Sequence, residues 1–212
     1  MTVRVDLNLS LDGVVAPADQ TPENPMGADW GRLVEVYIGT RTMRERVLHE
    51  TTGEGTAGVD DRYAAAYFDG VGAEIMGAGM FGFHAFPDDP DWRGWWGDEP
   101  PFRAPVMVLT HRERPPIEFS NGTRFEFLAA TPEDALARAR EYTEGDIRVG
   151  GGASVVRDFL AAGLVDRLHV AISPIVLGRG ARLWDDLREL EREYAVTSEV
   201  AESGVVHVTF AR

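Results

Sequence analysis

The stretch that decides the fold reads Ile147-Arg148-Val149-Gly150-Gly151-Gly152-Ala153-Ser154-Val155-Val156. A short run of strand-forming residues enters three consecutive glycines, and a helical pattern follows until Gly163. The N–H groups at the start of a helix bind phosphate, and glycines allow a ligand to approach the backbone. We therefore predict a phosphate-binding turn at the carboxyl end of a strand, where open α/β sheets bind ligands. A tight turn without a ligand is the alternative.

The helix after the glycines is predicted to begin near Ser154. Its apolar spacing places Val155 and three further apolar residues on one face, against the sheet. Ala153 and Ser154 would then remain free at the mouth of the phosphate site.

Strand and helix patterns alternate around this turn. Period-2 alternation and short apolar runs predict strands at residues 3–11, 73–76, 106–109, 125–128, 147–149 and 168–176. Helical patterns predict helices at residues 30–38, 60–68 and 131–142, whereas residues 39–59 carry no pattern that we can assign. Residues 194–200 and 205–211 predict a hairpin. We expect one α/β domain over residues 1–212, with a mostly parallel central sheet and a C-terminal antiparallel hairpin.

A long irregular segment, residues 84–104, is rich in proline and carries Trp92, Trp95 and Trp96. Irregular segments of this length in a compact domain usually serve as lids or binding surfaces. The tryptophans could stack on a flat substrate, for which Trp96 is the candidate, or they could fix the loop to the body of the protein.

The composition excludes several kinds of chemistry. The chain has no Cys, and all 21 basic residues are Arg, which excludes thiolate, Schiff-base and Walker-type lysine chemistry. The formal net charge of −14 disfavours nucleic acid as a partner. The sequence has neither an apolar run of membrane-spanning length nor an N-terminal signal pattern, so we expect no membrane partner and a cytoplasmic location.

No metal is expected, because the five histidines lack the spacing of a metal site. His169 and His207 lie on predicted strands and are interpreted as structural. The acidic segment 185–193 is interpreted as a solvated helix face.

Three sequence blocks recur in an order and spacing that resemble the RibD C-terminal reductase family. The blocks are Gly150-Gly151-Gly152-Ala153-Ser154, residues 159–168 (FLAAGLVDRL) and residues 173–180 (SPIVLGRG). Weaker matches at residues 10–13, 75–77 and 108–110 extend the resemblance over nearly the whole chain. The resemblance implies a dihydrofolate reductase-like three-layer fold in a stand-alone reductase-like module.

The resemblance also implies NADPH as the hydride donor. The backbone around the pyrophosphate would come from Gly150, Gly151, Gly152, Ala153, Ser154 and Val155. The turn at Gly13 and Val14 would cover the nicotinamide, and the strand end at Thr110, His111 and Arg112 would lie near the adenosine ribose and its 2′-phosphate.

One stretch departs from the family pattern. Members usually carry Gly-Arg-x-Thr after the second strand, whereas this chain has Gly77-Ala78-Gly79-Met80. Gly77 and Met80 would still line the cofactor site. Either Arg112 and Arg114 supply the missing phosphate contacts, or cofactor binding is weakened or altered, so NADH is not excluded.

Acidic residues near the first strand are the candidates for catalysis. In dihydrofolate reductases a carboxylate at the start of the following helix binds the pterin, and Asp61 occupies a comparable place beside Asp60; helix capping is the alternative. Asp12 is a candidate for catalysis and substrate binding, and Asn8 for substrate binding. Asp6 is interpreted as a solvated residue of the strand.

Together these patterns and the resemblance imply an NAD(P)H-dependent reductase, a homodimer acting on a small heterocycle. A ribosylaminopyrimidine is the first candidate substrate, and a pterin or folate the second. A non-catalytic nucleotide-binding module is the alternative, favoured by the altered stretch at residues 77–80.

Overall fold

Helices and strands alternate in the computed structural model, which describes residues 1–86, 89–184, 187–188 and 190–212. The helices are α1 Trp30–Ile38, α2 Arg41–Arg46, α3 Val59–Phe68, α4 Ala78–Phe81, α5 Pro132–Arg140, α6 Ala153–Ala161 and α7 Leu190–Glu193. The strands are β1 Val3–Ser10, β2 Val14–Ala16, β3 Val71–Gly77, β4 Pro105–Leu109, β5 Ile117–Glu118, β6 Arg124–Leu128, β7 Asp146–Gly151, β8 Arg167–Ser173, β9 Ala181–Arg182, β10 Ala195–Val200 and β11 Val206–Ala211.

Within the described ranges, nine of the strands form one sheet in the order β10-β11-β8-β1-β7-β3-β4-β6-β5. The six consecutive strands from β8 to β6 in this order are parallel to one another. β10 and β11 form the antiparallel hairpin beside β8, and β5 pairs antiparallel with β6. The predicted parallel sheet and C-terminal hairpin are confirmed.

Local sequence explains where the helices begin. Thr131 accepts a hydrogen bond from the backbone N–H of Asp134, and Pro132 occupies the first position of α5, as the sequence predicts. The unassigned region contains α2, where Thr40 accepts from the N–H of Met43. This short helix is further held by Asp61 of α3, which accepts from the N–H of Thr42 at 2.8 Å.

One face of the sheet is apolar and packs under α5 and α6. Residues of alternate sheet positions, such as Val5, Ile75 and Val149, are fully buried there. Leu136 from α5 and Phe159 from α6 complete this core. Because α5 and α6 cover this face, folding removes its apolar side chains from water, which is the main driving force for folding.

On the opposite face, the part that α1 and α3 cover is polar. The same strands place Arg4, Glu74 and Arg148 on this side, and each is at most 6% exposed. Arg4 donates to the carbonyl oxygens of Ala66 and Asp69 at the end of α3, at 2.8 and 2.7 Å. Alternation along the strands thus produces a buried polar layer where a solvated face would be the simplest expectation.

Two further expectations concern the acidic segment and membranes. The acidic segment interpreted as a solvated helix face includes Asp185, Asp186 and Glu189. These three residues lie outside the described residues. In the part of the chain that the structure describes, no helix combines the length and the apolarity needed to cross a membrane.

Candidate functional site

The glycine turn lies where β7 passes into α6, at the carboxyl edge of the parallel strands. β7 continues through Gly151, and Gly152 is the N-cap of α6; the peptide bond between these two glycines is cis. Gly77, the last residue of β3, lies against the turn, since a Cβ on it would be 3.5 Å from the backbone nitrogen of Gly152. The ends of β3 and β7 therefore meet at the start of α6.

The three glycines face different surroundings. A Cβ on Gly150 would overlap the Glu74 carboxylate, so this glycine leaves room for a buried acid. Gly151 has a φ of +131°, and a Cβ there would be 3.5 Å from the Sδ of Met80. Gly152 has a φ of −78°, and apart from its two chain neighbours no described residue has an atom within 4 Å of such a Cβ. The surface open to a ligand is at Gly152, while Gly150 serves the packing of the sheet.

The first turn of α6 supplies N–H groups that no side chain caps. Ser154 is exposed beside them, and Val155 is half-buried. The prediction that Ala153 stays free at the mouth is wrong: its side chain is 6% exposed, because α6 begins at Ala153 and turns this residue inward. The apolar face of α6 is buried as predicted.

Asp12 stabilises the turn after β1. Its carboxylate accepts hydrogen bonds from Ser10 Oγ at 2.7 Å and from the backbone N–H groups of Leu177 and Gly178 at 3.1 and 2.9 Å. The Leu177 bond, with those of Ser10 and Gly178, lowers the pKa of Asp12 to about 2. Both carboxylate oxygens are thus engaged, which argues against its predicted catalytic and substrate-binding roles.

The neighbouring residues of this turn are partly covered. Gly13 has a φ of +81°, and a Cβ on it would be 2.9 Å from the Cδ1 of Trp184. Val14 is fully buried, and its N–H donates to Ser10 Oγ at 3.0 Å. A contact of Gly13 and Val14 with the nicotinamide stays a prediction.

The end of β4 reaches the same edge of the sheet, because Leu109 pairs with Gly77. His111 and Arg112 beyond it are exposed, and Thr110 Oγ1 accepts from the N–H of Arg112 at 3.1 Å. These three residues lie at this edge of the sheet, and their predicted contact with the adenosine end is untested.

Arg114 is used differently from the phosphate contact that was one alternative. Its guanidinium donates to the carbonyl oxygen of Pro90 at 2.6 Å and to that of Trp92. Arg114 therefore holds the irregular loop, which disfavours it as a replacement for the missing phosphate contact.

The tryptophan-rich loop is fixed to α4. The indole N–H groups of Trp92 and Trp95 donate to the carbonyl oxygens of Phe81 and Met80, both at 2.9 Å. Trp96 packs against Phe102 and Phe125, with ring centroids 4.8 and 5.8 Å apart. The structure favours the fixing role over substrate stacking, including for Trp96. Pro87 of this loop lies outside the described residues.

Four residues of the polar face form what we call the acid–histidine chain: Asp60, His207, His169 and Asp6. Asp60 Oδ1 lies 2.8 Å from His207 Nε2, and His207 Nδ1 lies 3.0 Å from His169 Nε2. His169 Nδ1 lies 3.3 Å from Asp6 Oδ1. The ring of Tyr63 stacks on both imidazoles, with centroid distances of 4.3 and 4.1 Å. These contacts hold four titratable groups in line.

Two sequence interpretations are corrected by this chain. Asp6 is not solvated, because α1 and α3 cover its side chain, which is only 9% exposed. Asp60 is the buried acid at the start of α3, and it contacts the histidine, whereas Asp61 points away and caps α2. The predicted catalytic role of Asp61 is therefore disfavoured. No local sequence signal distinguishes the two, because the pairing with His207 joins residues 147 positions apart.

A buried ion pair between Glu74 and Arg148 lies beside the chain. Burial raises the pKa of Glu74 to about 7, and the Arg148 charge offsets this only in part. Burial also disfavours the charged form of Arg148, but Glu74 and its other partners outweigh this and raise its pKa. The guanidinium rests on the ring of Tyr67, 3.3 Å from the centroid. Arg148 therefore stays charged, and Glu74 is the member of the pair that gains or loses a proton near neutral pH.

A cavity of about 20 Å³ lies at the end of the acid–histidine chain. Its lining includes Asp6, His169, Tyr37 and Asn8, so the predicted substrate residue Asn8 does line a cavity. Among the described residues, neither Asp6 Oδ2 nor the hydroxyl of Tyr37 has a hydrogen-bond partner. Leu7, the neighbour of Asp6 in β1, also lines the cavity, and its Cδ2 lies 4.0 Å from where a Cβ on Gly151 would be.

Comparisons with known proteins now identify relatives. The sequence model of the family described as the RibD C-terminal domain matches residues 1–206. An uncharacterised protein of Bacillus subtilis (strain 168), YyaP, is 37% identical over 65 residues, which are 31% of this chain and 35% of that protein. The match thus spans about a third of this curated relative.

Three solved structures show the same fold. A protein from Shewanella sp. PV-4, provisionally named a riboflavin biosynthesis protein, has a TM-score of 0.58 at 21% identity and covers 100% of this chain and 99% of its own. Dihydrofolate reductase from Enterococcus faecalis, complexed with NADP(H) and RAB-propyl, has a TM-score of 0.50 at 13% identity, over 100% of this chain and 96% of that one.

The third is a Thermotoga maritima diaminohydroxyphosphoribosylaminopyrimidine deaminase/5-amino-6-(5-phosphoribosylamino)uracil reductase, with a TM-score of 0.54 at 15% identity. It covers 99% of this chain, and this chain spans 56% of its length. The fold is dihydrofolate reductase-like, as the resemblance implies.

Proposed function

The chain belongs to the RibD C-terminal domain family, and we propose that it is an NAD(P)H-dependent reductase that acts on a C=N or C=O bond of a small heterocycle. The observation that carries the proposal is the open, uncapped start of α6 at Gly152, on the carboxyl edge of the parallel strands. The cofactor would be NADPH, with NADH as the second candidate.

The residues at this turn fit a dinucleotide. A Cβ at Gly152 would project into open space, so a pyrophosphate can approach the backbone there. The N–H groups of Ala153, Ser154 and Val155 would hold its oxygens, because a helix start carries partial positive charge and unpaired donors. When bound, the dinucleotide supplies the hydride. Reduction then requires alignment with the acceptor and a proton source, neither of which needs Cys or Lys.

A non-catalytic nucleotide-binding module is the second candidate, and one observation favours it. In α4, directly after β3, the carbonyl oxygens of Met80 and Phe81 accept from tryptophans, and Ala78 and Met80 stand where relatives are expected to carry arginine and threonine. The second phosphate contact is thereby weaker, so the turn at Gly152 has to hold more of the cofactor.

A direct experiment separates the two candidates. NADPH and NADH are titrated by nicotinamide fluorescence, and their oxidation is then followed with dihydrofolate and with the ribosylaminopyrimidine. Binding with oxidation supports the reductase, and binding without oxidation of either compound supports the non-catalytic module. If neither dinucleotide binds, both candidates fail.

The place of the pyrophosphate is tested by Gly152→Asp against Gly152→Asn. Both side chains fit, because Gly152 has an ordinary φ of −78° and open space around it. The carboxylate would repel the pyrophosphate, so we expect NADPH to bind at least about tenfold more weakly to the Asp variant than to its neutral isostere. Equal affinities of the two variants would move the pyrophosphate away from this turn.

A further inference from the structure

The hydrogen bonds of the acid–histidine chain require a particular number of protons. The chain has three bridges, and each bridge needs one proton between its two heavy atoms. Two neutral imidazoles supply only two N–H protons, and ionised carboxylates supply none. All three bridges are therefore complete only when the chain carries a third proton. Without it the buried chain has two negative charges, with it only one, and burial disfavours the higher charge.

Three protons can complete the three bridges in four ways, and in two of these both histidines are neutral. In the first, Asp60 is protonated and donates to His207 Nε2, His207 Nδ1–H donates to His169 Nε2, and His169 Nδ1–H donates to ionised Asp6. In the second, each of the three protons has crossed its own hydrogen bond to the other heavy atom, so that Asp60 is ionised and Asp6 is protonated. Three short transfers thus move one proton equivalent from Asp60 to Asp6, over heavy-atom distances of 2.8, 3.0 and 3.3 Å.

The surroundings set the resting position of this proton. Burial disfavours a charged His207 and lowers its pKa, although Asp60 opposes this. Burial also opposes ionisation of Asp6, but the hydrogen bond from His169 and the charges of His169, Arg148 and Arg4 outweigh it and lower the pKa of Asp6. These effects favour an ionised Asp6 and a neutral His207 in the resting chain.

Charged and titratable groups from each neighbouring element face the chain. They are Arg4 of β1, Glu74 of β3, Arg148 of β7, Tyr37 of α1, Tyr63 and Tyr67 of α3, and Glu199 of β10, which pairs with Arg62. The side chain of Asp60 is 12% exposed and that of Asp6 is 9% exposed, so Asp60 is the end of the chain with more access to solvent, where a proton can be replaced. Its other end is Asp6, whose free Oδ2 is buried beside the cavity.

We propose that the acid–histidine chain is a proton relay that carries a proton from the protein surface at Asp60 to Asp6 at the cavity. Resting on the proposed reductase function, the relay protonates the nitrogen or oxygen of the acceptor bond as its carbon receives the hydride. Asp6 gives up the proton, His169 and His207 each pass one on, and Asp60 is recharged by solvent. The acceptor gains one hydride and one proton, and the chain returns to its starting state.

The test variant is Asp60→Asn, with Glu199→Gln as the matched control. The Asn amide can donate permanently to His207 Nε2, so all three bridges remain complete, but no proton can be released from that end. Glu199→Gln removes a nearby charge of the same sign without breaking any bridge. Nitrogen-15 NMR of the imidazoles between about pH 5 and 8 reports tautomer and protonation without any ligand.

In the wild type and in Glu199→Gln, the nitrogen shifts of His169 and His207 should change together in one shared step. In Asp60→Asn both imidazoles should stay Nδ1–H tautomers over the whole range. Independent titration of the two histidines in the wild type, or an unchanged shared step in Asp60→Asn, overturns the relay. This NMR measurement needs no ligand, so it tests the relay even if no dinucleotide binds. Absence of dinucleotide binding would contradict only the proposed function.

The delivery of the proton is tested with NADPH oxidation by dihydrofolate as the probe reaction. Loss of a general acid lowers rates by about 100-fold or more, so Asp60→Asn should be slower by that factor, with unchanged NADPH affinity and a flattened pH profile. Glu199→Gln should keep the wild-type rate and profile. If Asp60→Asn and the wild type oxidise NADPH at the same rate, the relay does not deliver the proton to the acceptor. The same conclusion holds if neither protein oxidises NADPH.

Discussion

Beneath α5 and α6 the sheet buries residues such as Val5 and Ile75, whereas beneath α1 and α3 the same strands bury Arg4 and Glu74. The apolar face gains free energy directly, because it removes carbon surface from water. The polar face has to offset the desolvation of several charges through ion pairs, hydrogen bonds and a cation on an aromatic ring. The protein therefore keeps a buried layer with a high desolvation free energy on the side where its titratable groups are aligned.

The sharpest way to break this contrast is to remove one partner of the buried ion pair. Arg148→Met leaves Glu74 without its cation at 1% exposure, and we expect the free energy of unfolding to fall by about 3–5 kcal/mol in chemical denaturation. Adding Glu74→Leu should recover most of the loss, because an apolar pair has no charge to desolvate.

Ile75→Val is the control on the opposite face of the same strand. It deletes one buried methylene and should lower stability by only about 0.5–1.5 kcal/mol. If Glu74→Leu added to the loss from Arg148→Met instead of relieving it, the polar layer would be held by packing, as the apolar face is, and the contrast would disappear.

The pH dependence of stability distinguishes the faces next. Glu74 has a folded-state pKa of about 7, above the ordinary 4.5, so the native state binds the proton more tightly. Its contribution to stability is fully present below about pH 4.5 and is lost as the pH rises through about 7. From pH 5 to 8 the wild type should lose on the order of 3 kcal/mol relative to Glu74→Gln.

The measurement is urea denaturation of both proteins at several pH values. The difference between them isolates Glu74 from His207, whose lowered pKa acts in the opposite sense by favouring folding as the pH rises. Parallel pH curves for the wild type and Glu74→Gln would show that the carboxyl does not titrate in this range.

The smallest effect lies within the glycine run and sharpens the contrast between stability and binding. A methyl group at Gly150 would overlap the Glu74 carboxylate, so Gly150→Ala should displace the ion pair and lower stability by about 1–3 kcal/mol. NADPH affinity of the folded variant should stay near that of the wild type. Gly152→Asn, measured alongside, should leave stability unchanged, and a Gly150→Ala protein as stable as the wild type would show that the carboxylate moves aside freely.

Sequence patterns predicted much of the fold because they are local. The alternation in β1, the Thr131-Pro132 start of α5 and the terminal hairpin each depend on residues close together in the chain. The strands β5 and β9, of two residues each, are too short to carry a periodic pattern, and β9 exists only through its pairing with the distant β2. Helix α2 likewise depends on Asp61 from α3.

The candidate site divides in the same way. The glycine turn was visible because one contiguous stretch contains both the glycines and the helix that starts there. The roles inside it were not visible: Gly150 is set aside for Glu74, whose carboxylate arrives from a separate strand. The indole donors of Trp92 and Trp95 find their acceptors in α4, so their fixing role needed coordinates.

The sequence by itself determined most of the longer strands and helices, the parallel sheet and the glycine turn at the start of α6, because hydrophobic period, capping and glycine freedom act over a few residues. Only the tertiary structure decided that Asp6 and Asp60 are largely removed from solvent and that two histidines join them. The physical reason is burial: α1 and α3 cover one face of the sheet, and whether an acid in an alternating strand is solvated or aligned in a chain depends on what packs over it.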